Sequence, residues 1–145
     1  MNKNRMAALG LALLILGGQG IGGWAGAYAQ DGDVFQGPES LIRGLYAAVS
    51  FDPGPGPDWE AVKRFFLPQA VLAVRMSATS MAVLDVRQFI DWFKGDLDKF
   101  KMKERGFEEK VEKVKLTVFG EIAHVFAVYR ARLKNPPGPG QVGLD

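Results

Sequence analysis

Apolar positions along the chain repeat first at helical spacing, then at strand spacing, then at each again, and the switches between the two mark the elements. Leu41, Ile42, Leu45, Tyr46 and Val49 follow one helix face. "DPGPGP", Asp52 to Pro57, breaks that pattern, because three prolines remove backbone donors and restrict their neighbours; it is a loop. Asp58 then stands at an N-cap position ahead of a second stripe, Trp59, Val62, Phe65 and Phe66, which Pro68 ends. Ala70–Met76 reads as a strand, "SATS" as a turn, and Met81–Val86 as the returning strand. Asp85 and Gln88 have capping-box spacing. They open a third helix with Phe89, Ile90, Phe93, Leu97 and Phe100 on one side, weakened in its middle by Gly95.

The longest period-two segments come next, Phe107–Phe119 and Ile122–Leu133, around the two-residue turn Gly120-Glu121. That turn sets a register in which Val118 faces Ala123, Leu116 faces Val125 and Val114 faces Ala127, giving one continuous apolar face. His124, the only histidine, falls on the opposite face, across from Thr117 and beside Lys115 and Phe126. Local spacing places neither a carboxylate nor a nucleophile next to it, so a surface or interface role fits it better than catalysis. From Lys94 to Lys115 the charges alternate in sign, the pattern of a solvated surface.

The amino terminus belongs to another regime. "MNKNR" carries Lys3 and Arg5, an apolar stretch "MAALGLALLILGG" follows, and "AYAQ" presents Ala27 and Ala29 at the small-residue positions of a signal-peptidase site, with the cut before Gln30. Leu9–Leu16 is shorter than the roughly 20 apolar residues a bilayer span needs. Residues 1–29 are therefore expected to be a signal peptide, 30–38 a flexible tether and 39–145 one domain. The expected location is the periplasm or the outside of the cell, with the membrane met only transiently during export. Cleavage changes the charge balance. The eighteen basic residues fall to sixteen as Lys3 and Arg5 leave, against sixteen acidic residues, all beyond Ala29. A formally neutral domain gives no electrostatic reason to expect nucleic acid as a partner. The absence of cysteine rules out a disulfide or a Cys-linked lipid.

Candidate chemistry is sparse. One histidine, no cysteine and scattered carboxylates give no metal set, and "PGPGP" lacks the lysine and the strand–helix setting of a phosphate loop. Neither a cofactor nor a metal is expected.

Across Glu39–Leu133 the order of elements resembles the nuclear transport factor two-like superfamily, in its bacterial SnoaL-like secreted branch. The residues that carry the resemblance are "LIRGLYAAVSF", "DWEAVKRFFLPQAVL", "VLDVRQFIDWF" and "VEKVKLTVFGEIAHVFAVYRARL". It implies an α+β fold whose helices pack on a strongly bent antiparallel, cone-like sheet around a pocket. The pocket would be lined by Val114, Leu116, Val118, Ala123, Val125 and Ala127, with hydroxyls from Tyr46 and Tyr129. The outer face, with Thr117, His124 and Phe126, would form a homodimer. The family's cone is closed by two further strands; here the chain reaches "NPPGPGQVGLD", so the C-terminal strands are expected to be missing and Ile122–Leu133 to be left as an open edge.

The family also contains ketosteroid isomerase-like and cyclase-like enzymes, which need a carboxylate or His–Asp base in the cone. The matching strand here, "AVLAVRM", offers only Arg75. Tyr46 stands where such enzymes carry an oxyanion-binding tyrosine, but a hydroxyl bonded to backbone is the simpler expectation for it. Asp85, the nearest carboxylate, is accounted for by helix capping. The expected function is accordingly non-catalytic binding of a small apolar ligand or of a protein. The alternative is an isomerase, lyase or cyclase using Tyr46 and Asp85.

Overall fold

A computed structural model describes residues 11–13, 36–137 and 140–145, and it is an α+β fold with two antiparallel three-stranded sheets. In chain order the elements are β1 (Leu11–Leu13), α1 (Pro38–Ala48), α2 (Trp59–Lys63), β2 (Val71–Arg75), β3 (Met81–Asp85), α3 (Val86–Lys99), α4 (Met102–Arg105), β4 (Phe107–Phe119), β5 (Ile122–Leu133) and β6 (Gln141–Leu144). One sheet has the order β1-β2-β3 and the other β4-β5-β6. The expected cleavage positions Ala27, Ala29 and Gln30 lie outside the described residues. Leu11–Leu13, from the stretch read as the leader's apolar segment, is extended and pairs with β2, Leu11 opposite Val74 and Leu13 opposite Leu72. Among the described residues no helix is long and apolar enough to cross a membrane.

The helix ends follow their sequence signals. Asp58 accepts hydrogen bonds from the amides of Glu60 (3.0 Å) and Ala61 (3.2 Å) at the start of α2. At α3, Asp85 Oδ1 accepts from Gln88 N (2.7 Å) while Gln88 Oε1 accepts from Asp85 N (2.9 Å), the reciprocal bonds of a capping box. α3 then buries Phe89, Ile90, Phe93 and Leu97. Phe93 meets Trp59, Phe89 and Phe107 edge-on, with ring centroids 5.5 to 6.2 Å apart, so one aromatic cluster joins α2, α3 and β4. β2 contributes Leu72 and Val74, both fully buried. Its outward face and that of β3 remain in solvent, with Val83 71% exposed.

β4 and β5 pair in the register the turn dictates, Val118 opposite Ala123, Leu116 opposite Val125 and Val114 opposite Ala127. Gly120 has φ +59°, the left-handed conformation that glycine adopts without steric cost. Between Val111 and Lys113 the register slips by one residue, a β-bulge at Glu112. The edge expected to be open along β5 is partly covered: β6 pairs with it from Val128 opposite Leu144 to Ala131 opposite Gln141. Asp145 extends this pairing by exchanging both backbone hydrogen bonds with Ala127, at 2.8 and 3.0 Å.

Candidate functional site

The bulge decides what the site contains. Distal to it, the even-numbered residues Val114, Leu116 and Val118 share a face with Ala123, Val125 and Ala127. Continued unbroken, that alternation would carry Glu112, Lys110 and Glu108 inward. One extra residue reverses the parity of β4, because side chains alternate with period two. Val111, Glu109 and Phe107 therefore face the core, opposite Tyr129, Ala131 and Leu133. Glu108 and Glu112 turn outward, where they meet Arg132 (2.6 Å) and Arg130 (2.7 Å).

Glu109 is thus an acid inside an apolar core, only 4% exposed. It stands in the charge-alternating run read as solvated surface, and that reading fails at this position. The segment just after α1 fixes its backbone: Glu109 N donates to Ser50 Oγ (2.9 Å), and the Ser50 hydroxyl donates to the Tyr46 carbonyl (2.8 Å). Arg43 holds α1 to β4 by donating to the Val111 carbonyl (3.2 Å), while its guanidinium also pairs with Glu39 (2.8 Å). The Glu109 carboxyl is left beside Tyr46, Tyr129 and Asp145, and its Oε1 has no hydrogen-bond partner among the described residues.

Tyr129 is fully buried, and its ring lies 5.2 Å, centroid to centroid, from that of Tyr46. It leans over Gly143, its lateral neighbour on β6; a Cβ at Gly143 would collide with the Tyr129 ring and hydroxyl. The Tyr46 hydroxyl donates to Asp145 Oδ2. The sequence suggested a backbone partner for this hydroxyl; the carboxylate takes that place because β6 brings Asp145 alongside Ala127, on the inner face.

Burial, then the Asp145 charge, pushes the Glu109 carboxyl well above the usual carboxylate range. The same two causes raise both tyrosine hydroxyls, with Glu109 adding to each. Burial thus favours the protonated, hydrogen-bond-donating forms of Glu109 and of both tyrosines, beside the Asp145 carboxylate as acceptor.

The structure divides the residues expected to line a pocket. Tyr46, Ala127 and Tyr129 are buried around Glu109, and Val114 and Val125 pack against the edge of the core. Ala123 is half-buried, and Leu116 and Val118 are exposed, the latter by 59%. Thr117, His124 and Phe126 are exposed on the outer face, with the His124 and Phe126 rings edge-on at 6.4 Å. Asp85 is exposed at its cap and takes no part in the centre. Among the described residues no three His, Cys, Asp or Glu side chains are grouped to hold a metal.

Glu109 and Asp145 are the site residues that sequence reasoning missed. Glu109 had a signal: Phe107 and Val111 are apolar at its own parity, whereas Glu108, Lys110 and Glu112 are all charged. Comparison of the chain with protein-family models, curated proteins and solved structures gives no match.

Proposed function

We propose that the chain is a secreted or periplasmic domain that binds a small, mainly apolar ligand without transforming it, on the inner face of a cone-like sheet around Tyr46, Glu109 and Tyr129. The observation that carries this reading is the buried Glu109 carboxyl, its Oε1 without a hydrogen-bond partner among the described residues, set in the core beside Tyr46, Tyr129 and Asp145. An apolar site with a few convergent polar groups is the usual make-up of a small-molecule site. Leaving such a group unsatisfied costs about 1–3 kcal/mol, which a ligand that bonds to it recovers.

The isomerase, lyase or cyclase reading needs a base in the same place. Burial favours the protonated forms of Glu109 and of both tyrosines, Asp145 already accepts from Tyr46, and Asp85 is committed to its helix. The balance favours binding. A second reading, docking of a protein or of another copy through the outer face of the hairpin, draws its support from Phe119 and Phe126, large apolar side chains that stand in solvent.

Native mass spectrometry of the protein recovered from a periplasmic extract tests the ligand reading. The expected result is a chain beginning at Gln30 with a small-molecule adduct that leaves on activation, and loss of that adduct in Glu109→Ala. An adduct-free protein whose melting temperature is unmoved by a library of small apolar molecules would sink it.

A further inference from the structure

Two acids meet the same pair of aromatic rings from different strands. Glu109 comes from β4, and Asp145 from the residue that follows β6. They are close enough for the Asp145 charge to act on Glu109 and on both tyrosines. Tyr46 from α1 and Tyr129 from β5 stand beside them, their rings inclined at 49°. The remaining charged neighbours are turned away or engaged: Glu108 and Glu112 pair with arginines on the outer face, Lys110 is exposed there, and Arg43 is held by Glu39 and the Val111 carbonyl.

Each ligand class meets this centre differently. An anion would meet the Asp145 charge in a low-dielectric surrounding, where like charges repel most strongly. A neutral hydroxyl could bond to Oε1 but would not offset the Asp145 charge. An ammonium group donates to Oε1, favours the ionised form of Glu109, and takes attraction from tyrosine ring faces. The site borders the inner face of β6, where Gln141, Gly143 and Asp145 are half-buried and the Tyr129 ring lies over Gly143.

We propose that Tyr46, Glu109, Tyr129 and Asp145 form a binding site for a primary ammonium group carried by a small, mainly apolar molecule. The assignment rests on the ligand-binding reading above and narrows it to a chemical class. Binding favours the carboxylate form of Glu109: the ammonium nitrogen donates to Oε1, and any proton that Glu109 gives up passes to the buffer.

Titration calorimetry on the full chain at pH 7.5 tests this with three probes of equal length, hexylamine, hexanol and hexanoate. Hexylamine, present as its ammonium ion, is expected to bind in preference to the other two. Its binding heat should vary with the ionisation enthalpy of the buffer, as release of up to one proton requires. Glu109→Gln, with unchanged circular dichroism and a cooperative unfolding transition, should lower hexylamine affinity about tenfold or more and abolish the proton release, since it removes a charge-assisted bond. Tighter binding of hexanol or hexanoate, or hexylamine binding that ignores Glu109→Gln, overturns the cation assignment and leaves the ligand reading standing. A crystal soaked in hexylamine that shows only an ordered water at Oε1 overturns it equally. No binding of any probe, together with no adduct in native mass spectra, removes both.

Discussion

The two ends of the β4–β5 hairpin are built from the same alternating kind of sequence and take opposite environments. At the open end, Phe107–Val111 and Ala127–Ala131 lie under α1 and beside β6, and Phe107, Glu109, Val111, Ala127, Tyr129 and Ala131 are all buried. At the turn end, Leu116, Val118, Phe119, Ile122 and Phe126 are exposed, Phe119 by 86%. Both ends have regular antiparallel pairing. Alternation therefore specifies strand and register, while burial is set by what lies over the face. The bulge at Glu112 lies between the two ends and reverses which side chains of β4 point inward.

The largest expected contrast comes from truncating one aromatic at each end. Tyr129→Ala empties a fully buried position and should cost about 3–5 kcal/mol, the range for large aromatics in cores. Phe119→Ala should stay within about 0.5 kcal/mol, as surface changes do. Urea denaturation of the two variants measures the difference, and equal losses would mean that the turn end is covered in solution.

A pH series sharpens the same contrast at the buried end. Glu109 has its folded-state affinity for a proton raised above that of the unfolded chain. Stability linked to it is complete below the unfolded value, near 4.5, and is lost as pH rises toward the folded one, because the folded state binds the extra proton. The wild type should therefore lose stability relative to Glu109→Gln as pH rises from about 4.5 toward neutral, by at most about 1.4 kcal/mol per pH unit for one proton. Denaturation curves at pH 4, 5.5 and 7 give the slope. Parallel profiles for the two proteins would show that the carboxyl is solvated.

Much of the fold was readable in the sequence, and the unread part has a common physical cause. Helix starts at Asp58 and Asp85, the turn at Gly120-Glu121 and the pairing of Leu116 with Val125 depend on residues near in sequence, and each forms as its local signal indicates. The centre depends on a register slip and on a distant strand. Strict alternation through Glu112 places Glu109 outside, and the Tyr46–Asp145 bond joins residues 99 positions apart. His124 was placed correctly on the exposed face because only the tight turn decides its parity. Tyr46 was found as a candidate but with the wrong partner, since nothing near it in sequence announces β6.

Gly143→Ala breaks the buried end with a single methyl group. The new Cβ would meet the Tyr129 ring, and the ring has Tyr46 on its other side, so the expected loss is about 1–3 kcal/mol, as for overpacked cores. In a Tyr129→Ala background the same methyl should cost less than it does alone, because the obstructing ring is gone. A double-mutant cycle by urea denaturation measures this coupling. Additive losses would show that Tyr129 does not lean over β6.

The smallest effect on folding is expected at the outer face of the turn end, and it separates the docking reading from simple exposure. Phe126 is 49% exposed beside His124, so Phe126→Asp and His124→Asp should each change the stability of the isolated chain by about 0.5 kcal/mol or less. If this face joins two copies, sedimentation at rising concentration will show a dimer in the wild type and weaker association in both variants, since a charge facing an apolar partner is desolvated without a counter-ion. A wild type that stays monomeric removes the second copy as the occupant of this face. Docking of a different protein would then be what is left of that reading, beside strand propensity, which is satisfied by pairing and does not require burial.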